Sequence, residues 1–232
     1  MTAPAPIAIE ARIDPAEQAA LIAGAEQLSE HLSIAIGGQT WPVRLNLTPP
    51  GEPLAEGPAP HVIVTSMLPE TKRLSDPMPV VEARWRTELE RLTASGAVVF
   101  VCTVFRHLAE RPKDGAASPL LERVRLLNRL AMDLSNAFGV GVIDFDRDLA
   151  HVGGRTLRSD YRLTGVLAAE VAGHAVAWAL LSAGLDAVVE PEVQEKAKAA
   201  LGDMRGIDAL VNRRLARRRA ASQAAAGAGD HG

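Results

Sequence analysis

Short apolar runs alternate with longer amphipathic segments along this chain. Residues 61–65 and 97–104 are rich in β-branched side chains, and the second run is apolar on both faces, as in a strand buried within a parallel sheet. Residues 81–95 and 120–138 instead carry apolar side chains at helical spacing. Because consecutive parallel strands need long crossovers, this alternation predicts a parallel sheet with helices on both faces.

Five strands are predicted, and helices connect most of them. The first helix should begin with Asp14 as N-cap and Pro15 in its first turn, and should end at Gly37. The last helix of the domain is expected over residues 164–183. Together these elements predict a three-layer, flavodoxin-like α/β domain over residues 1–185, with strands at 7–9, 43–47, 61–65, 97–104 and 140–145.

The character of the chain changes after residue 185. Residues 186–220 predict a helical extension that is interrupted at Gly202 and Gly206 and ends in a basic helix. Residues 221–232 are rich in Ala, Gly and Ser and are predicted to be disordered. The basic helix is either a solvated helix or a docking element for an acidic partner protein or an anionic membrane face. We expect a protein partner at its arginines, Arg213, Arg214, Arg217, Arg218 and Arg219.

Composition excludes several classes of protein. The net charge of −3 and the isoelectric point near 6.1 argue against nucleic-acid binding through overall charge. The single cysteine, Cys102, lies in an apolar run and is expected to be a core residue. The apolar stretch 166–185 contains Glu170 and His174, so we interpret it as a buried helix and not as a membrane span.

Signals for targeting and for cofactors are missing from the sequence. Residues 1–6 have no basic segment followed by an apolar one, so a cytoplasmic location is expected. No His/Cys cluster has the spacing of a zinc site, and no glycine-rich nucleotide loop occurs. We therefore predict no metal and no cofactor.

The most informative stretch begins with Val142-Ile143-Asp144-Phe145-Asp146, continues through Ser159-Asp160-Tyr161-Arg162-Leu163-Thr164 and ends in an Ala-rich helix. Together with residues 126–131 and 138–140, it resembles the last part of an SGNH/GDSL hydrolase. The resemblance covers residues 43–185. It implies a three-layer α/β fold and ester hydrolysis by a Ser nucleophile and a His base, oriented by an Asp, with Gly and Asn donors for the oxyanion.

The catalytic residues of that family are replaced in this chain. Glu10-Ala11-Arg12 stands where the family has Gly-Asp-Ser, and Thr65-Ser66-Met67 stands where it has Gly-x-Asn. Gly51 could correspond to the family's other glycine. In the family's Asp-x-x-His position lies Ser159-Asp160-Tyr161-Arg162, and an arginine cannot act as a general base near neutral pH. The sequence therefore predicts a degenerate, non-catalytic relative that serves as a binding or accessory subunit.

The alternative is an active esterase with relocated residues. Ser66 ends a predicted strand and could act as nucleophile, with His107 or His151 as base. In the structural interpretation of the same residues, Ser66 is a turn residue, His107 lies at the rim of the crevice, and His174 is packed and hydrogen-bonded.

Arginines at the strand ends suggest a small anionic ligand. Arg12, Arg106 and Arg162, with Ser159 and Asp160, could line the crevice and bind a phosphate, sulfate or carboxylate. Alternatively, each arginine pairs with a neighbouring acid, namely Glu10, Asp146 or Asp160. A further set of acids, Asp144, Asp146 and Asp148, is expected to cap a helix or bond to loop backbone.

Overall fold

The computed structural model describes residues 4–54, 57–108 and 118–228. Five strands form one parallel sheet in the order β2-β1-β3-β4-β5. This order and the helices on both faces confirm the predicted three-layer α/β fold. The strands are β1 Ile7–Arg12, β2 Val43–Thr48, β3 Val62–Ser66, β4 Val98–Cys102 and β5 Gly141–Ile143.

The helices divide into two layers. One layer covers the face to which β1 contributes Ile7, Ile9 and Ala11, and it contains the first helix, the sixth helix and the C-terminal extension. The other layer, of the second and third helices, covers Ile63 and Val101. The helices are α1 Gln18–Ala35, α2 Met78–Thr93, α3 Pro119–Phe138, α4 Phe145–Val152, α5 Gly154–Leu157, α6 Val166–Ala183, α7 Pro191–Leu201 and α8 Met204–Ala228.

Two features differ from the sequence prediction. The loop after β5 contains the short helices α4 and α5, because the Asp144 side chain accepts a hydrogen bond from the Arg147 N–H (3.2 Å) and starts α4 early. β5 is correspondingly shorter than predicted. In addition, α8 continues to Ala228, so residues 221–228 are helical where disorder was predicted; alanine is the strongest helix former. Residues 229–232 lie outside the described residues.

The C-terminal extension shares its core with the α/β layers. Ala197 and Leu201 of α7, and Ile207 and Val211 of α8, are buried in the same apolar cluster as α1 and α6. His174 on α6 is buried, as predicted, and its Nε2 lies 3.1 Å from the Asp203 carbonyl oxygen at the start of α8. Apolar packing and a partly buried hydrogen bond therefore both hold the extension against the domain.

Helix α6 is long and apolar enough to cross a membrane by composition, but 67% of it is buried within the protein. Its close approach to α1 depends on glycine at two positions. A Cβ on Gly24 would lie 2.8 Å from Val176, and a Cβ on Gly173 would lie 2.7 Å from the Gly24 nitrogen. Both distances are shorter than side chains tolerate, so these glycines set the helix–helix distance.

Candidate functional site

A crevice opens where the strand order reverses, between the carboxyl ends of β1 and β3. In open parallel sheets with this strand order, ligands bind at such a reversal point. A cavity of about 440 Å³ lies here. Its walls come from the loop after β2, the end of β3, the turn that follows β3 and helix α2; they include Gly51, Ser66, Glu70, Arg84, Trp85 and Glu88.

Ser66, the candidate nucleophile, ends β3 in the wall of this cavity and is 1% exposed. Its hydroxyl donates a hydrogen bond to Glu17 Oε1 at 2.6 Å and accepts one from the Leu68 N–H at 3.0 Å. Glu17 is fixed in turn by the Asp14 N–H, which donates to its Oε2 at 3.3 Å. Ser66 thus joins the turns that follow β1 and β3.

Glu17 is fully buried beside Ser66. Burial raises the pKa of its carboxyl to about 8, although the hydrogen bond from Ser66 favours the ionised form. At neutral pH the group is therefore mostly protonated. A protonated carboxyl cannot take the proton of a serine hydroxyl, so Glu17 is unsuited to be the missing base.

Arg12 does not lie at the mouth of the crevice, where it was expected. β1 extends through Arg12, and the side chain is completely buried. Its Nη1 donates to Glu10 Oε1 at 2.8 Å, and its Nε lies 3.6 Å from Glu88 Oε1. The cation is therefore held inside the protein by acids, as the pairing alternative required.

The other two crevice arginines are also paired. Arg106 bonds to Asp146 through its backbone N–H (2.8 Å) and its guanidinium. Arg162 bonds to Asp160 through Nε and Nη2. Burial alone would raise the pKa of Asp160, but the hydrogen bonds and charge of Arg162 outweigh it and lower that pKa. Both arginine side chains remain about half exposed.

The loop from Ser159 to Arg162 replaces the family's catalytic block and is held by backbone contacts. Ser159 is buried, with its hydroxyl 3.4 Å from the Asp160 carbonyl oxygen. The Tyr161 N–H donates to the His107 carbonyl oxygen at 2.9 Å. This loop therefore lies beside the end of β4, as the resemblance implied, without a histidine of its own.

The two candidate bases have partners elsewhere. The His107 ring stacks on Phe105 with ring centroids 5.6 Å apart, and it lies so close to Gly154 that a Cβ there would come within 2.3 Å. His151 Nε2 lies 2.9 Å from Asp208 Oδ1. Within the described residues, neither ring hydrogen-bonds to the Ser66 hydroxyl.

The acids after β5 have structural partners. Asp144 caps α4 and accepts a hydrogen bond from the Thr103 hydroxyl at 3.0 Å. The same hydroxyl accepts from the Asp146 N–H at 3.1 Å. Asp148 pairs with Arg147, and burial raises its pKa. These contacts agree with the predicted roles in capping and loop bonding.

The basic helix α8 does not present all five arginines to a partner. Arg214 forms a bidentate ion pair with Glu170 of α6. Arg213 and Arg217 line a cavity of about 300 Å³ together with Glu26 and Glu30 of α1. Arg218 and Arg219 lie in a separate groove with residues of α5.

Sequence reasoning missed the carboxyl that contacts Ser66. Asp14-x-x-Glu17 is a capping-box pattern, in which the fourth residue bonds back to the first, and that pattern could have placed Glu17 at the end of β1. No local pattern pointed to Glu70 or Glu88. Glu70 lies in the turn that follows β3, and Glu88 reaches the crevice from α2, which is more distant in sequence.

The fold is similar to that of known esterases and hydrolases. The acetyl xylan esterase AlAXEase superposes with a TM-score of 0.53 at 12% identity, over 72% of this chain and 96% of that chain. LAE5, an alpha/beta hydrolase enzyme from the metagenome of Lake Arreo, Spain, gives a TM-score of 0.51 at 16% identity, over 78% and 98%. No family model matches the sequence, and no curated protein matches it significantly. At these identities the likeness concerns the fold alone.

Proposed function

We propose that this protein is a non-hydrolytic relative of the SGNH/GDSL esterases that binds a ligand in the crevice and serves as an accessory subunit. The observation that carries the proposal is the partner of Ser66. Ser66, the strand-end serine suggested as a nucleophile, donates a hydrogen bond to Glu17, a buried carboxyl that is itself mostly protonated at neutral pH.

The rest of the hydrolytic machinery is also occupied by other contacts. Ester hydrolysis requires a base within hydrogen-bond reach of the nucleophile and donors for the oxyanion. The Leu68 N–H next to Ser66 is bonded to the serine hydroxyl itself. His107 and His151 contact Phe105 and Asp208. These contacts support a crevice that retains the fold of an esterase and has lost its chemistry.

The crevice keeps features suited to binding. Trp85 and two prolines supply apolar surface in its wall. Arg84 is held in place by Glu70, with its Nη2 2.6 Å from Oε2 and its Nε 3.2 Å from Oε1. A rigid apolar wall with a few oriented polar groups is typical of small-molecule sites.

The test is covalent labelling together with turnover. We expect no labelling of the full-length protein by a fluorophosphonate probe and no acetate release from acetylated xylan, the substrate in the name of one structural neighbour. Ser66→Ala serves as the control for the candidate nucleophile, and an active esterase of this fold serves as the positive control. Labelling that disappears in Ser66→Ala would establish the alternative, an active esterase with relocated residues.

A further inference from the structure

We propose that the groove between α5 and α8 binds an acidic segment of a partner protein. Four arginines, Arg155 and Arg158 of α5 and Arg218 and Arg219 of α8, line this groove; we call it the four-arginine groove. It is remote in sequence from the crevice residues of β3 and α2. The inference is independent of whether the crevice hydrolyses esters.

The groove concentrates positive charge without internal compensation. Its volume is about 900 Å³, and among the described residues its lining includes no Asp or Glu. All four arginines are exposed, and within the described residues none of them has an ion pair or a side-chain hydrogen bond. Like charges so close repel one another, so an acidic ligand gains from every guanidinium that it neutralises.

On the opposite side of α8, the arginines lie near acidic residues of the same chain. There Arg214 binds Glu170, and Arg213 and Arg217 face two glutamates of α1. Arg214, which secures α8 to the domain through its ion pair, is therefore distinct from the arginines of the four-arginine groove. This division extends the predicted docking surface to Arg155 and Arg158, which belong to another element, and it removes Arg214 from that surface.

The backbone of Arg158 also has a conformation that is unfavourable for residues other than glycine. It is the C-cap of α5 with φ of 52°, in the left-handed region. Glycine is the usual residue at such a position, and a side chain there costs about 1–2 kcal/mol. Glycine would adopt this conformation without strain, but the chain has an arginine there. An arginine at a strained position is consistent with a site that needs its positive charge.

A protein segment fits the groove better than a membrane or a nucleic acid does. Among the described residues, the groove lining contains no exposed large apolar side chain of the kind that inserts into a bilayer. In the part of the chain that the structure describes, no aromatic residue lines it to stack on bases. Leu215 supplies apolar contact beside the guanidinium groups, and these groups bind carboxylates in bidentate geometry.

The experiment is a fluorescence-anisotropy titration of the full-length protein with a labelled short polyglutamate peptide. Arg155→Glu with Arg158→Glu, and separately Arg218→Glu with Arg219→Glu, should each weaken binding by about tenfold or more, since each replaces two attractions by repulsions. The matched control is Arg125→Glu with Arg129→Glu on α3, two exposed arginines whose reversal changes the net charge equally. The control should change the affinity less than about twofold at moderate salt.

Arg158→Gly separates recognition from folding. This change removes the guanidinium and the strained conformation together, so the melting temperature should stay equal or rise while the affinity for the peptide falls. Equal losses in the groove and control variants would overturn the proposal. Tighter binding of phosphatidylserine vesicles or of a single-stranded oligonucleotide, abolished by the same reversals, would overturn it in favour of another class of partner.

Discussion

The crevice and the four-arginine groove differ in whether their charged side chains have partners of opposite charge. In the crevice wall, Arg84 is paired with Glu70. Behind the wall, the buried Arg12 is paired with Glu10, and the buried Glu17 is kept mostly neutral. In the groove, the described lining holds four arginines and no acidic residue. The difference suggests that crevice charges maintain the fold, because burying an uncompensated charge is costly. An exposed groove can instead keep its charges for a partner.

The largest effect on folding stability should come from removing the C-terminal extension, which supplies two of the four groove arginines. Truncation after Leu185 removes buried side chains that include Val189, Leu201, Ile207 and Val211. Each contributes about 1.5–3 kcal/mol by burial, and their sum is comparable to the whole stability of a typical domain, about 5–15 kcal/mol. We expect this truncated protein to aggregate or to lose its cooperative thermal transition in calorimetry.

A shorter truncation provides the control. Ending the chain after Ala216 keeps the α8 residues described as buried, Ile207 and Val211, and removes Arg217, Arg218 and Arg219. That protein should melt cooperatively near the full-length temperature and bind the acidic peptide weakly. A cooperative transition in the Leu185 truncation would show that the extension is dispensable for folding and that its burial contributes little.

A second, smaller effect on stability should come from ionising the buried carboxyl of Glu17. The pKa of Glu17 is raised from 4.5 to about 8 by burial, so in that window the folded state holds a proton that the unfolded state releases. The free energy of unfolding therefore falls as pH rises from 4.5 to 8, by about 1.4 kcal/mol per pH unit at most. The pH range of this loss of stability would show where the buried Glu17 carboxyl ionises in the folded protein.

Glu17→Gln should flatten that dependence. The amide can offer its oxygen to the Asp14 N–H and its NH₂ group to the Ser66 hydroxyl, and it does not ionise. Melting temperatures measured between pH 5 and 8 should fall in the native protein and change less in the variant. Glu90→Gln, at an exposed carboxylate of α2, is the control and should keep the native slope. Parallel slopes for Glu17→Gln and the native protein would refute the assignment of a neutral Glu17.

The same contrast explains what the sequence could and could not predict. Period-two and period-3.6 patterns are local, so they placed the strands, the main helices and the three layers. The partners of Arg106 and Arg162 were among the alternatives because Asp146 and Asp160 lie near them in sequence or on the neighbouring strand end. The contact between Ser66 and Glu17 joins two separate strand ends. The groove joins α5 to α8, and neither contact is encoded by a local period.

The smallest effect should distinguish two arginines one turn apart on α8. Arg214 is half-buried in a bidentate pair with Glu170, whereas Arg218 is exposed in the four-arginine groove. Arg214→Ala should destabilise the protein by about 0.5–1 kcal/mol, since partly exposed pairs contribute little more. Arg218→Ala should change the free energy of unfolding by less than about 0.5 kcal/mol, as is usual for exposed positions without partners. Urea denaturation of both variants measures the difference directly. Peptide affinity should show the reverse order, with Arg218→Ala the more damaging change. If Arg218→Ala destabilised the fold as much as Arg214→Ala, its charge would be part of the packing of α8, and the division of the helix into a structural side and a binding side would fail.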